Sequence, residues 1–475
     1  MKYISTRGAG EPHGFTEVLL AGLARDGGLY VPEAWPHLSE RELAGLAGLA
    51  YPQAAFRVLS PYVREAVDAG DLRAMLDAAY ASFAHPATVP LVQIGPNEFL
   101  LELFHGPTLA FKDVAMQLLA RLMDHVLARR GSRITVVGAT SGDTGSAAIA
   151  AFKGRAAVDV FILHPNGRVS EVQRRQMTTV DDANVHNIAL EGTFDDCQAV
   201  VKALFNDLDF RDRLSLAGVN SINWARVMAQ SVYYVTAAAN LGAPHRGVAF
   251  SVPTGNFGDI YAGYVAARMG LPVARLIVAT NVNDILVRAL RTGRYALRHV
   301  TATQSPSMDI QVASNFERLM FDLAGRDGGR VSDMMEALSG TGALALDEAM
   351  LKAARALFSA HRSDEAETTE TIRAVHRSTG LVVDPHTAVA VAAAQKARAA
   401  GDIAAETPLV ILATAHPAKF PDAVENAIAI KPPLPQRAGD LHALAERYEA
   451  LPNDAAAVAR FIEERARAAS GKAAT

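Results

Sequence analysis

With 475 residues, half of them hydrophobic and a fifth charged, the chain is too long for one simple core and has the composition of a folded globular protein. A net charge of −4 offers no basic excess for nucleic acid. No stretch approaches the ~20 apolar residues of a membrane helix, and the opening MKYISTRGAGEPHGF lacks the apolar segment of a signal peptide.

Residues 1–85 predict a mainly helical region, since SERELAGLAGLAYPQAAFRVL and DLRAMLDAAYASF carry apolar residues at helical spacing. HPATVP then reads as a linker. From residue 86 to about 300 short apolar runs alternate with amphipathic ones. FLLELF, RITVV, VDVFIL, NVHNIAL, GVAFSV and ARLIVAT are strand candidates, each followed by a loop and a helix. Such repeated units predict an α/β fold with doubly wound parallel sheets in two lobes, whose ligands sit beyond the carboxyl ends of the strands. Residues 301–375 break the rhythm and read as an insertion or lobe. Residues 376–434 complete the core with the alanine-rich helix TAVAVAAAQKARAA and the strand PLVILAT, and 435–475 read as a tail of two helices with frayed last residues.

The lone cysteine, Cys197, cannot form an intrachain disulfide, which fits a reducing cytoplasm. Beside the carboxylates of TFDDCQAVV it reads as a packing residue rather than a nucleophile. The histidines are scattered, and no HExxH or CxxC occurs, so no metal site is expected.

Three loops carry chemistry. In HGPTLAFKD, Lys112 lies among apolar neighbours at a helix start that Asp113 would cap. Lost solvation lowers a lysine's pKa and frees its amine for a Schiff base; the ordinary alternative is a lysine whose amine snorkels to water. PTGNFGD, residues 253–259, joins a strand to a helix in the form of a phosphate cradle, without the GxxxxGK[ST] pattern of a nucleotide site. GATSGDTGSA, residues 138–147, offers more hydroxyls than one helix cap needs, although Asp143 or Ser141 could serve as that cap.

Together these loops resemble those of the threonine synthase family, within the fold-type II pyridoxal-phosphate enzymes. MKYISTRG, LLAGLARDGGLYVPE, FHGPTLAFKD, VVGATSGDTGSAA, SVPTGNFGDI, NSINWARVMAQSVYY and ILATAHPAKF are similar to that family's segments and follow its order from residue 1 to about 430. The resemblance implies pyridoxal 5'-phosphate as cofactor, O-phosphohomoserine as substrate, and a cytoplasmic monomer or homodimer. It implies that Lys112 carries the cofactor and moves protons. Gly255, Asn256, Phe257 and Asp259 would surround the cofactor phosphate, Thr414 would face its pyridine nitrogen, and Asp143 would lie near its ring. Ser141 and Thr144 would hold the amino-acid carboxylate. The basic stretch HPNGRVSEVQRRQMT would serve the substrate phosphate, with Arg168 first and Arg174 and Arg175 behind it.

Overall fold

The computed structural model describes residues 1–468, so the expected frayed end lies outside the described residues. Two sheets dominate. The larger has six strands in the order Phe358–Arg362, Val273–Thr280, Val248–Pro253, Leu409–Ala413, Glu98–Glu102 and Leu91–Gly95. All its neighbours are parallel except the last pair. The smaller sheet is wholly parallel, in the order Glu449–Pro452, Val185–Glu191, Val158–Pro165, Ile134–Ala139 and Leu216–Ala217. Helices cover the sheets, and every residue of Val158–Pro165 is buried, the burial that a parallel strand requires.

The helices begin and end as their residues dictate. Lys112–Arg130 places Arg129 and Arg130 in its last turn and closes on Gly131 in the left-handed conformation. Pro385–Ala399, the alanine-rich segment, starts with proline behind Asp384, whose carboxylate accepts from the His386 and Thr387 amides. Eleven of its fifteen residues are buried, so small side chains here allow close packing against the large sheet.

The N-terminal region is helical as expected, with helices Phe15–Ala21, Glu40–Ala44, Tyr51–Val63 and Ala69–Tyr80, and adds one antiparallel strand pair, Tyr3–Ser5 with Tyr30–Pro32. It shares the main core. Tyr3 and Tyr62 pack with tilted rings against Trp224, at centroid distances of 6.1 and 5.8 Å.

Two stretches differ from their sequence reading. The segment 301–375 supplies an edge strand of the large sheet, Phe358–Arg362. Among the described residues the tail forms one α-helix, Ala455–Arg465, rather than two; Glu449–Pro452 instead pairs in parallel with Val185–Glu191 at the edge of the small sheet. Cys197 is buried against the apolar core of the small lobe, where burial pushes its thiol up to about 12, so it stays protonated.

Candidate active site

A cleft of about 430 Å³ opens between the two sheets. Its walls are the loops after Ile134–Ala139, Val248–Pro253 and Leu409–Ala413, joined by the start of the helix Lys112–Arg130. Val248–Pro253 and Leu409–Ala413 are the two central strands of the large sheet; from the first the chain continues outward to Val273–Thr280, and from the second it leaves the sheet. That divergence leaves a crevice at their carboxyl ends.

The loop before Lys112 is held tightly. Asp113 does not cap the helix; its carboxylate turns back to accept from the Thr108 amide and hydroxyl, both at 2.8 Å. Gly106 is required there, because a Cβ on it would lie 2.4 Å from that of Asp113. The Phe111 amide donates to the Thr414 carbonyl at 2.8 Å, which ties the lysine loop to the end of the central strand.

Lys112 is buried, and its Nζ lies 3.1 Å from Asp143 Oδ2. Burial lowers its pKa; the Asp143 carboxylate opposes this, and the cations Lys419 and Arg226 add to it. Asp143 is the hub. It also accepts from Gln173 Nε2 at 2.8 Å and pairs with Lys419 Nζ at 2.7 Å. Burial works against its charge, yet Lys112 and Lys419, with the hydrogen bonds from Lys419 and Gln173, hold it well below the usual carboxylate range. Asp143 is therefore no helix cap. Thr140 orders that helix start instead, accepting from the Gly142 and Gly145 amides at 2.9 Å each. Ser141 and Thr144 line the cleft, and their hydroxyls make no hydrogen bond among the described residues.

The PTGNFGD loop is shaped by its neighbours. Phe257 takes the left-handed conformation, φ 64°, immediately before the helix Gly258–Arg268. A Cβ on Gly255 would fall 2.5 Å from the Ser307 carbonyl. The first amides of that helix have no intrahelical acceptor and face the cleft as an anion site. Phe257 contributes backbone rather than ring, since its ring packs edge-on against Phe316 at 5.2 Å. Asp259 accepts from the Tyr233 and Tyr234 hydroxyls at 2.5 and 2.9 Å through Oδ1, while Oδ2 is buried with no partner. Burial raises its pKa to about 6. Thr414 sits at 5% exposure at the end of its strand, with its hydroxyl unengaged among the described residues.

The basic stretch falls elsewhere. Arg168 is exposed on the turn after Val158–Pro165 and does not line the cleft. Arg174 is bound bidentately by Glu446 of the tail at 2.8 and 3.0 Å, and Arg175 pairs with Glu171 at 2.9 Å. The cleft holds a cation that the sequence reading passed over. Arg226, on the helix Trp224–Asn240, is buried and lines the cleft beside Asn220 and Ser221. One nitrogen donates to the Val219 carbonyl at 3.1 Å and Nε has no partner; among the described residues no carboxylate lies within ion-pairing distance. Burial lowers its pKa to about 10, so it remains charged at neutral pH. The signal was an arginine inside the otherwise apolar run WARVMAQSVYYV. Lys419, fully buried, was missed in the same way.

Pyridoxal phosphate fits this donor set. A buried amine and a helix N-terminus line one cleft, and so does Arg226, whose Nε has no partner among the described residues.

Comparison with known proteins agrees. Residues 2–80 match the model described as "Threonine synthase N terminus", residues 90–363 "Pyridoxal-phosphate dependent enzyme", and residues 387–462 "Threonine synthase, C-terminal". Threonine synthase of Pseudomonas aeruginosa is 54% identical over 98% of each chain. The crystal structure of pyridoxal-phosphate-bound threonine synthase from Brucella melitensis superposes with a TM-score of 0.95 at 55% identity, over 98% of this chain and 100% of that one. The yeast enzyme superposes at 0.92 with 40% identity over 98% of both. The chain thus belongs to the threonine synthase family of pyridoxal-phosphate-dependent enzymes.

Proposed function

We propose that this enzyme converts O-phospho-L-homoserine and water into L-threonine and phosphate, with Lys112 as the residue that carries the cofactor and moves the protons. The observation that carries the reading is one cleft holding a buried amine, a helix N-terminus suited to one phosphate, and a buried arginine, without a counter-ion among the described residues, suited to a second. Gly255 and Asn256, with the Phe257 and Asp259 backbone amides, would hold the cofactor phosphate, since the Asp259 carboxyl is taken by Tyr233 and Tyr234. Thr414 would hold the ring nitrogen through its hydroxyl, and Asp143, which fixes Lys112 Nζ, would support the ring. Ser141 and Thr144 receive the amino-acid carboxylate. Because Arg168 lies outside the cleft, the substrate phosphate is assigned to Arg226 with Asn220 and Ser221.

Bound pyridoxal phosphate supplies an electron sink for negative charge that develops on the substrate's carbons. Lys112 takes protons from the α- and β-carbons in turn and returns one at the γ-carbon after phosphate has left. Its lowered basicity suits it to both tasks. Arg226 is worth most when the phosphate dianion is desolvated beside it, which binds the substrate and supports phosphate as leaving group. The enzyme acts in the cytoplasm as a monomer or homodimer on this reading.

Incubation with O-phosphohomoserine and identification of the organic product test the proposal. Threonine is expected; 2-oxobutanoate with ammonia, or no turnover, would refute it.

A further inference from the structure

Asn315 joins both anion sites through one side chain. It lies in the segment 301–375, one position before the helix Phe316–Leu323, and is fully buried. Its backbone amide donates to the Asn256 carbonyl at 3.0 Å, and its side-chain Nδ2 donates to the same carbonyl at 3.1 Å. Nδ2 also reaches Ser221 Oγ at 3.2 Å. Asn256 belongs to the cofactor-phosphate loop, and Ser221 to the loop beside Arg226. Gly258 leaves the space, since a Cβ there would meet Asn315 Nδ2 at 3.2 Å.

The amide cannot flip. The Asn256 carbonyl only accepts, so the NH2 must face it. Arg318 only donates, and its Nη1 donates to Asn315 Oδ1. Arg318 is itself fully buried, with no carboxylate within ion-pairing distance among the described residues. Its other nitrogens donate to the Tyr30 carbonyl at 3.0 Å and the Ile222 carbonyl at 2.5 Å. Asn315 and Arg318 therefore grip the cofactor loop, both sides of the Ser221–Ile222 turn, and the N-terminal strand pair. A buried guanidinium spent on backbone carbonyls is expensive to hold, which sets it apart from ordinary packing.

We propose that Asn315, oriented by Arg318, is a positioning residue that fixes the separation of the cofactor-phosphate and substrate-phosphate sites. The inference rests on the assignment of the substrate phosphate to the Arg226 loop. Lys112 must reach successive carbons of a substrate anchored at its far end. A shift of about 1 Å between the anchors is enough to cost two orders of magnitude in rate.

Asn315→Asp is the decisive variant. It keeps the acceptor for Arg318, removes Nδ2 as a donor, and sets a carboxylate oxygen against the Asn256 carbonyl; only the Ser221 hydroxyl, by reversing to donate, can keep a contact. Cofactor affinity is read by fluorescence titration of the cofactor-free protein without substrate. The Michaelis constant and turnover number are read at saturating cofactor. The dissociation constant for cofactor and the Michaelis constant for O-phosphohomoserine should each rise about tenfold or more, as for a lost buried hydrogen bond. A purely structural role would lower the thermal midpoint and leave these two constants unlinked. A folded Asn315→Asp protein in which either constant is unchanged overturns the proposal. If that variant does not fold, Asn315→Ala carries the same two expectations. Failure of the underlying assignment is read separately, from an Arg226 substitution that leaves the Michaelis constant unchanged.

Discussion

Arg226→Met is the substitution for which the structure makes opposed demands on stability and activity. Arg226 is buried with no counter-ion among the described residues, and burial lowers its pKa from 12.5 to about 10. At about 1.4 kcal/mol per pH unit, that is about 3 kcal/mol spent in keeping the charge. The hydrogen bond to the Val219 carbonyl, worth about 1 kcal/mol, offsets part of it. Methionine is of similar length and carries no charge, so the substrate-free, cofactor-free protein should gain about 1–2 kcal/mol. For a chain of this size each kcal/mol moves the thermal midpoint by about 2–4 °C, a rise that calorimetry reads directly. Activity should move the other way. A substrate dianion left in the cleft without its cation loses about 3–5 kcal/mol, which is more than two orders of magnitude in kcat/KM. The absorbance band of the lysine-bound cofactor should persist, because Lys112 and its partner Asp143 are untouched, with the nitrogen of Lys112 somewhat more basic once the Arg226 charge is gone. Parental kcat/KM for O-phosphohomoserine, or loss of cofactor in place of substrate affinity, would refute the reasoning.

Lys112→Ala should abolish turnover, and borohydride reduction of the parent should fix the cofactor to the peptide containing Lys112; label on another lysine would overturn that assignment. Thr414→Val removes a hydroxyl that makes no other hydrogen bond among the described residues, so cofactor affinity should fall by ~1–3 kcal/mol, read by titration, while attachment to Lys112 survives. Arg168→Ala, on an exposed turn outside the cleft, should leave kcat/KM unchanged within assay error. Asp259 is raised by burial from 3.8 to about 6, so the native state holds its proton more tightly than the unfolded chain and loses stability as pH rises between those values. Asp259→Asn keeps the acceptor for both tyrosines, and denaturant titration of the cofactor-free protein should show it stabilised at about pH 7 and not at about pH 4; equal effects at both would show that the carboxyl does not titrate there.

The strand–loop–helix alternation was legible because buried parallel strands are continuous apolar runs, and Lys112, Asp143, Gly255 and Thr414 could be placed because each follows or faces such a strand end. The strand Phe358–Arg362 was not visible, since the edge sequence FSAHR is short and partly polar. Glu449–Pro452 escaped for the same reason, its residues being mostly exposed at the margin of the small sheet. Arg226, Lys419 and Asn315 were hidden more deeply. Lys419 and Asn315 gain their meaning from partners distant in sequence, Asp143 and Thr108 for the first, Ser221 and Asn256 for the second, and Arg226 from the cleft that it lines. Arg174 and Arg175 misled for the converse reason: next to Arg168 they read as a basic patch, but carboxylates neutralise both, and that of Arg174, Glu446, comes from the far end of the chain.

The most direct measurement of the central claim is the fate of solvent oxygen when the enzyme turns over O-phosphohomoserine in ¹⁸O water. Elimination breaks the bond from the γ-carbon to oxygen, so phosphate leaves with all its own oxygens, and water enters at the β-carbon. The account predicts threonine labelled at its hydroxyl and phosphate carrying no label. Homoserine with labelled phosphate would mean that the phosphorus–oxygen bond is cut instead, and would contradict it.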